Sequence, residues 1–305
     1  MDRTWVSAGL KVAEVKEADT PCLLVQRVAR IRARNGLEQT LLRQFFSAYR
    51  FEQYVKSVQT ETAVPHISAQ QIRDFPVLLP PVAEQTKIAQ ILSTWDQAIA
   101  TTEKLIENSK AQKKALMQQL LTGKKRLPGF ADEWQEYRLG QLFSERKEAG
   151  RLDLWLLSIT QDRGVIYRDD VGRKDTSSED KSRYKRLCPN DIGYNTMRMW
   201  QGVSALSDKE GIVSPAYTIV IPGEKADPLY MSYLFKLPKT IHDFYRYSQG
   251  LVSDTWNLKY PNFSEIKVSI PEYGEQKKIA SVLKMADQQT VAARKKSANA
   301  TATYR

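Results

Sequence analysis

Few side chains in this sequence are placed to do chemistry, and those that stand out suit reading rather than reacting. The densest set is Tyr194-Asn-Thr-Met-Arg-Met-Trp-Gln201, where Asn195, Arg198 and Gln201 interrupt an apolar stretch. Arg fits the major-groove edge of guanine, Asn or Gln that of adenine, and aromatic rings fit a thymine methyl. Tyr194 and Trp200 complete the candidate set; the competing reading places Met197, Met199 and Trp200 in a core with Arg198 in an ion pair. A second polar segment, Gln161-Asp-Arg-Gly-Val-Ile-Tyr-Arg168, offers Arg163 and Arg168 to a base or a phosphate. Arg173 and Lys174 fit phosphate contacts, against an ordinary surface loop. Residues of these types are the ones that would meet double-stranded DNA, were it the partner, and the structural readings stand beside them.

Catalytic constellations are missing from the sequence. There is no Gly-x-Gly-x-x-Gly, and Gly123-Lys124 lacks the upstream glycine of a phosphate loop. No Asn-Pro-Pro-aromatic tetrapeptide of an adenine methyltransferase occurs. Glu265-Ile-Lys267 has the Glu-x-Lys form of a metal-dependent nuclease, but Glu14-Val-Lys16 and Glu275-Gln-Lys277 share it, so the triplet carries no weight. Cys22 and Cys188 are the only cysteines, and His66 and His242 the only histidines, which leaves no set for zinc or a disulfide framework. His66, before a strand-like stretch, and His242, on a helix, read as structural. The expectation is a non-catalytic chain without cofactor or metal.

The elements that must position these residues follow from length and patterning. The 305 residues allow one large domain or two ordinary ones, and 42% hydrophobic against 27% charged residues describe a chain that folds. No run approaches a membrane span and the N-terminus lacks a signal-peptide pattern, so the expected compartment is the cytoplasm, away from membranes. The net charge of +11 points to a polyanionic partner. Residues 1–130 carry +7, residues 131–270 carry zero and residues 271–305 carry +4. Basic contacts in the middle must therefore come from local clusters such as Lys181, Arg183, Lys185 and Arg186, which equally suit a solvated loop.

The sequence repeats itself. Residues 77–96 align with 268–287 at 9 identities in 20 positions without a gap, among them Glu84/Glu275, Gln85/Gln276, Ala89/Ala280 and Asp96/Asp287. The same register pairs Tyr54 with Tyr245, Ile67 with Leu258 and Ile72 with Phe263. A period of 191 residues is too long for a solenoid and implies two domains, each followed by the same connecting element.

That element reads as a helix. A short strand ends at Pro80-Pro81, Glu84 suits the first turn, and Gly123 suits the end. Ile88, Leu92, Trp95, Ile99, Thr102, Ile106, Ser109, Lys113, Leu116 and Leu120 recur at spacings of four and three, a heptad seam. From 82 to 122 the helix would run roughly 60 Å, too long to bury its seam in a small domain. Ile88, Leu92, Trp95, Ile99, Ile106, Leu116 and Leu120 are therefore expected to be open for a partner helix.

Around it, residues 154–159, 164–167, 191–194 and 216–221 read as strands. A helix is expected over 41–58, and another over 227–235 with Asp227 as cap and Pro228 in its first turn. The second helix of the repeat stops short of the counterpart of Leu116–Gly123.

These motifs carry a resemblance. Leu79-Pro-Pro-Val-Ala-Glu-Gln-Thr-Lys-Ile-Ala-Gln-Ile-Leu-Ser-Thr-Trp-Asp-Gln-Ala-Ile99, Lys113-Lys-Ala-Leu-Met-Gln-Gln-Leu-Leu-Thr-Gly123 and Arg126-Leu-Pro-Gly-Phe130 resemble the conserved region of specificity subunits of type I restriction–modification enzymes. Ile270–Lys278 resembles the second such region. The resemblance implies an α+β fold, with target-recognition domains of short strands and helices joined by long coiled-coil-type spacer helices. It implies that each recognition domain reads half of a split DNA site while the helices dock methyltransferase subunits, and restriction subunits through the complex. On this pattern residues 1–80 are the C-terminal part of a first recognition domain, 81–123 the first spacer helix, 124–133 a basic linker, 134–270 the second recognition domain and 271–305 the start of the second spacer helix. A homodimer would restore two heads. The alternative is a truncated assembly scaffold that binds the methyltransferase but no longer reads DNA.

Overall fold

The computed structural model describes residues 10–25, 28–59, 66–172, 178–252 and 255–304. The chain divides into two units, Met1–Leu105 with Arg294–Arg305, and Ile106–Ala293. Two long helices, α4 and α9 below, run through both.

In the first unit, α1 (Gln39–Ser47) and α2 (Tyr49–Val58) are separated by Ala48, whose extended backbone (ψ 148°) breaks the single helix expected over 41–58. The break turns Phe51 and Val55 inward onto Ile67 and Phe75. Then come α3 (Ala69–Arg73) and α4 (Val82–Leu120). Ser68 caps α3, its hydroxyl accepting from the Gln71 amide at 3.1 Å. The strand expected before Pro80 is not formed: residues 77–79 have no strand partner among the described residues, whereas their counterparts in the second unit do.

The second unit opens with β1 (Gln135–Arg138), α5 (Leu139–Leu142), β2 (Phe143–Glu145), β3 (Leu157–Thr160) and β4 (Gly164–Tyr167). It continues through β5 (Lys185–Leu187), β6 (Ile192–Asn195), β7 (Ser204–Leu206), β8 (Gly211–Val213) and β9 (Tyr217–Pro222). It closes with α6 (Pro228–Leu234), α7 (Pro238–Tyr247), α8 (Tyr260–Ser264), β10 (Lys267–Ile270) and α9 (Tyr273–Tyr304). The central sheet runs β2-β9-β6-β7, antiparallel throughout, with Tyr194 opposite both Thr218 and Ser204. β10 pairs with β1, β3 with β4, and β5 with β8.

Alternation along β9 splits the core into two layers. Val220 joins Leu139, Phe143, Phe235, Phe244 and Phe263 on the helical side. Ile219 joins Leu157, Ile159, Val165 and Leu187 on the hairpin side. Asp227 caps α6 as the sequence predicts, its carboxylate accepting from the Tyr230 amide at 2.8 Å.

The two spacer helices meet in this unit. Leu120 and Leu121 share a core with Ile279, Ala280 and Leu283, while Lys113, two turns earlier, bridges Asp287 at 2.5 Å, so the helices run antiparallel. Leu120 is 2% exposed and Leu116 packs on the same cluster. Leu120 is therefore part of the chain's own core, which corrects its assignment to a docking seam, while Leu116 packs half-buried against that core. Ile88, Leu92, Trp95, Ile99 and Ile106 are half-buried, so the seam is not the open stripe expected from its length. α4 ends where Gly123 takes φ +70°, with its α-carbon face against the Trp134 ring.

Candidate nucleic-acid interface

The polar stretch after Tyr194 forms a braced turn. β6 ends at Asn195, whose side-chain oxygen accepts from the Met197 amide at 3.0 Å. A 3-10 turn over Met199–Gln201 follows, closed by the Gly202 amide donating to the Met199 carbonyl at 2.7 Å. Gly202 has φ +77°, and a Cβ there would lie 2.8 Å from Ile241 of α7, so only glycine lets the chain turn back into β7. Met199 is fully buried and anchors the turn from below.

This geometry divides the sequence candidates. Arg198 and Gln201 are exposed and adjacent, Arg198 Nη1 donating to Gln201 Oε1 at 3.4 Å. Asn195 is half-buried with its oxygen committed to the turn. Trp200 is half-buried, its indole N–H donating to the Met197 carbonyl at 2.9 Å and its ring standing edge-on to Trp256. Tyr194 is a correction. It is fully buried, stacked on Phe263 at 5.3 Å, and burial pushes its phenol pKa up, so it is a core residue that no groove can reach.

The β3–β4 hairpin packs on β7, which brings the second polar segment to the same edge. Arg163 is exposed, but its guanidinium donates to the carbonyls of Asp170 and Val171 at 3.0 and 3.5 Å, pinning the 3-10 turn Arg168–Val171. Arg168 is half-buried beside an open cavity of about 580 Å³ lined by Trp155, Tyr167, Asp169 and Asp170. Arg173 and Lys174 lie outside the described residues. The basic cluster expected over 181–186 is largely spent inside the fold. Arg186 pairs with Glu148 and Glu210, and Lys185 donates to the Tyr217 carbonyl at 2.8 Å.

Sequence reasoning missed Lys236. Its ammonium donates to the carbonyls of Gly202 and Ser204 at 2.7 and 2.6 Å, directly under the turn. Burial, opposed by the charge of Asp162, pushes its pKa down to about 8. The available signal was a single lysine inside the apolar run Leu234-Phe235-Lys236-Leu237.

Two joints hold helical layers to spacer helices in the same way. Gln276, on the first turn of α9, donates to the carbonyls of Lys225 and Pro271, each at 2.9 Å, and accepts from the Asp227 amide at 2.9 Å. Gln85, on the first turn of α4, donates to Gly36 and Pro80 at 2.8 and 2.9 Å and accepts from the Glu38 amide at 2.9 Å. Glu38 and Asp227 are both helix caps. Further along, Asp96 accepts from Gln44 at 2.7 Å and from Arg43, and Asp287 accepts from Tyr233 at 2.7 Å.

A family model for the type I restriction modification DNA specificity domain matches residues 3–109 and 131–300. The chain belongs to the type I DNA specificity-domain family. Within it, this chain is 37% identical over 78 residues to the type I restriction enzyme MjaVIII specificity subunit of Methanocaldococcus jannaschii, covering 26% of this chain and 18% of that protein. It is 33% identical over 106 residues to the EcoAI specificity subunit of Escherichia coli, covering 34% of this chain and 17% of that one. The aligned parts are thus under a fifth of either relative's length. The fold is similar to the crystal structure of a type I restriction–modification S subunit from M. genitalium, with TM-score 0.59 at 14% identity, over 88% of this chain and 71% of that one. The α+β architecture expected of a specificity-domain chain, short strands and helices on long spacer helices, is the one observed.

Among the described residues no cluster of His, Cys, Asp and Glu is arranged to hold a metal ion. No described helix is long and apolar enough to cross a membrane.

Proposed function

We propose that this chain is a non-catalytic, sequence-reading DNA-binding subunit of a type I restriction–modification complex, acting in the cytoplasm. The second unit reads one half-site. The carrying observation is the pair Arg198–Gln201, exposed on a turn fixed by Met199, Gly202 and Lys236: a rigid presentation of one guanine-reading and one adenine-reading side chain. Arg163 and Arg168 on the neighbouring hairpin supply backbone contacts.

The first unit is built like the helical part of the second: α1, α2 and α3 are the counterparts of α6, α7 and α8. Methyltransferase subunits dock on the outer faces of α4 and α9, where Ile91, Leu105, Met285 and Val291 are about half exposed. Restriction subunits join through that complex.

A scaffold that docks the methyltransferase without reading DNA is the second reading. It is favoured by the first unit, which shows helices but no strand among its described residues. Titration of random-sequence duplex DNA with the chain, alone and with methyltransferase subunits, separates the two. The reading subunit binds DNA in both states, more tightly in the complex. The scaffold adds nothing to the methyltransferase's own DNA affinity.

A further inference from the structure

The duplicated joint fixes which residues of the two units correspond. Glu38 and Asp227 occupy the same cap, Gly36 and Lys225 offer the same carbonyl, and Gln44 and Tyr233 meet the same aspartate position. Each pair is separated by 189 residues, as are the bounds of α2 and α7. Carried back along the chain, this register sets residues 28–33 against β9 (Tyr217–Pro222).

The comparison is informative at alternate positions. In this register Ile31 stands where Val220 faces the helical layer, although Ile31 itself is exposed. Arg30, Arg32 and Arg34 stand where the second unit has Ile219, Ile221 and Gly223. Ile219 is fully buried against the hairpin layer. Three arginines on that register cannot be covered by an apolar layer without a large desolvation cost. All three are exposed, and none pairs with an acid among the described residues. By contrast Arg43, nine or more residues on, is held by Asp96 and Glu14.

We infer that Arg30, Arg32 and Arg34 form a contact stripe for the phosphate backbone of duplex DNA, so that the first unit clamps DNA without reading it. The inference rests on the DNA-binding reading above. Arg30, Arg32 and Arg34 fall within five residues of an exposed segment that is neither helix nor strand, so their guanidinium groups can meet neighbouring phosphates of one strand. Guanidinium groups suit phosphate oxygens geometrically. The stripe also accounts for part of the +7 carried by residues 1–130.

The test is the salt dependence of binding by the full chain to random-sequence duplex DNA. Each phosphate contact contributes about −0.9 to the slope of log affinity against log salt. Replacing the three arginines together by glutamine is expected to flatten the slope by about 2.7 and to weaken all sequences alike. Lysine at all three positions restores the slope. Should the triple variant melt earlier than wild type, Arg32→Gln alone is measured, with an expected change of about 0.9. An unchanged slope in a chain that still binds DNA overturns the stripe and leaves the DNA reading standing. A loss that lysine does not restore makes the arginines structural and also overturns it. Wild-type chain with no affinity for DNA overturns both.

Discussion

Gln276 and Asp227 lie 49 residues apart in sequence, yet the Asp227 amide donates to the Gln276 side chain at 2.9 Å within the buried joint between α6 and α9. The same bond joins Glu38 to Gln85. Because Asp227 also caps α6, one residue fixes both the start of the helix and its seat on the spacer. Gln276→Ala leaves one amide and two carbonyls without partners in a site where the glutamine is 1% exposed. The expected loss is about 2–3 kcal/mol. Chemical denaturation followed through the second unit's tryptophans checks it, and a loss within 0.5 kcal/mol, about that of an ordinary surface substitution, would deny the joint its role.

Lys236 gives the second unit a defined alkaline response. Its pKa is held near 8 in the fold, below its ordinary value of 10.5, because burial disfavours the charged form. Below pH 8 the lysine is protonated in both states and the native form bears the cost. Between about pH 8 and 10.5 the unfolded chain binds more protons than the native one, so this lysine's contribution makes stability rise with pH across that window. Lys236→Met should remove this rise. The readout is the difference between wild-type and variant stability measured at several pH values. A difference independent of pH would refute the shift.

Arg198→Ala should relax discrimination at a single base pair by about 1–3 kcal/mol while leaving other positions as selective as before. Competition binding with single-substituted sites measures this. Uniform weakening on every site would make Arg198 a backbone contact instead.

Leu120→Asp should unfold or strongly destabilise the second unit, because a carboxylate would replace a side chain 2% exposed among Ile279, Ala280 and Leu283. Ile91→Asp, on the same helix but 59% exposed, should leave thermal melting unchanged and weaken methyltransferase binding. Equal melting of both variants would contradict the packing of α4 described above.

Much of this fold was legible in the sequence because local rules and tertiary packing agree there. Asp227-Pro228 begins α6, Gly164–Tyr167 is β4, and the repeat around Gln85 and Gln276 marks both spacer helices. Disagreement arose where packing partners decide. The ungapped register pairs Tyr54 with Tyr245, yet the buried positions Phe51 and Val55 match Thr240 and Phe244, two residues off; the shift falls between Val58 and Ile67, where the 191-residue period resumes. The strand before Pro80 needs a neighbour, and the first unit shows none among its described residues. Tyr194 reads as a polar-capable aromatic beside Asn195, but strand alternation turns it into the helical core. Lys236 escaped notice because its role lies in two carbonyls 32 and 34 residues away.

The central claim, that the second unit reads a DNA half-site through the Arg198–Gln201 turn, is tested most directly by selection from randomised duplexes with the chain assembled on methyltransferase subunits. The account predicts one enriched motif in wild type and, with Arg198→Ala, the same motif degenerate at one position. Recovery of duplexes with no common motif, or an identical motif from the variant, would contradict it.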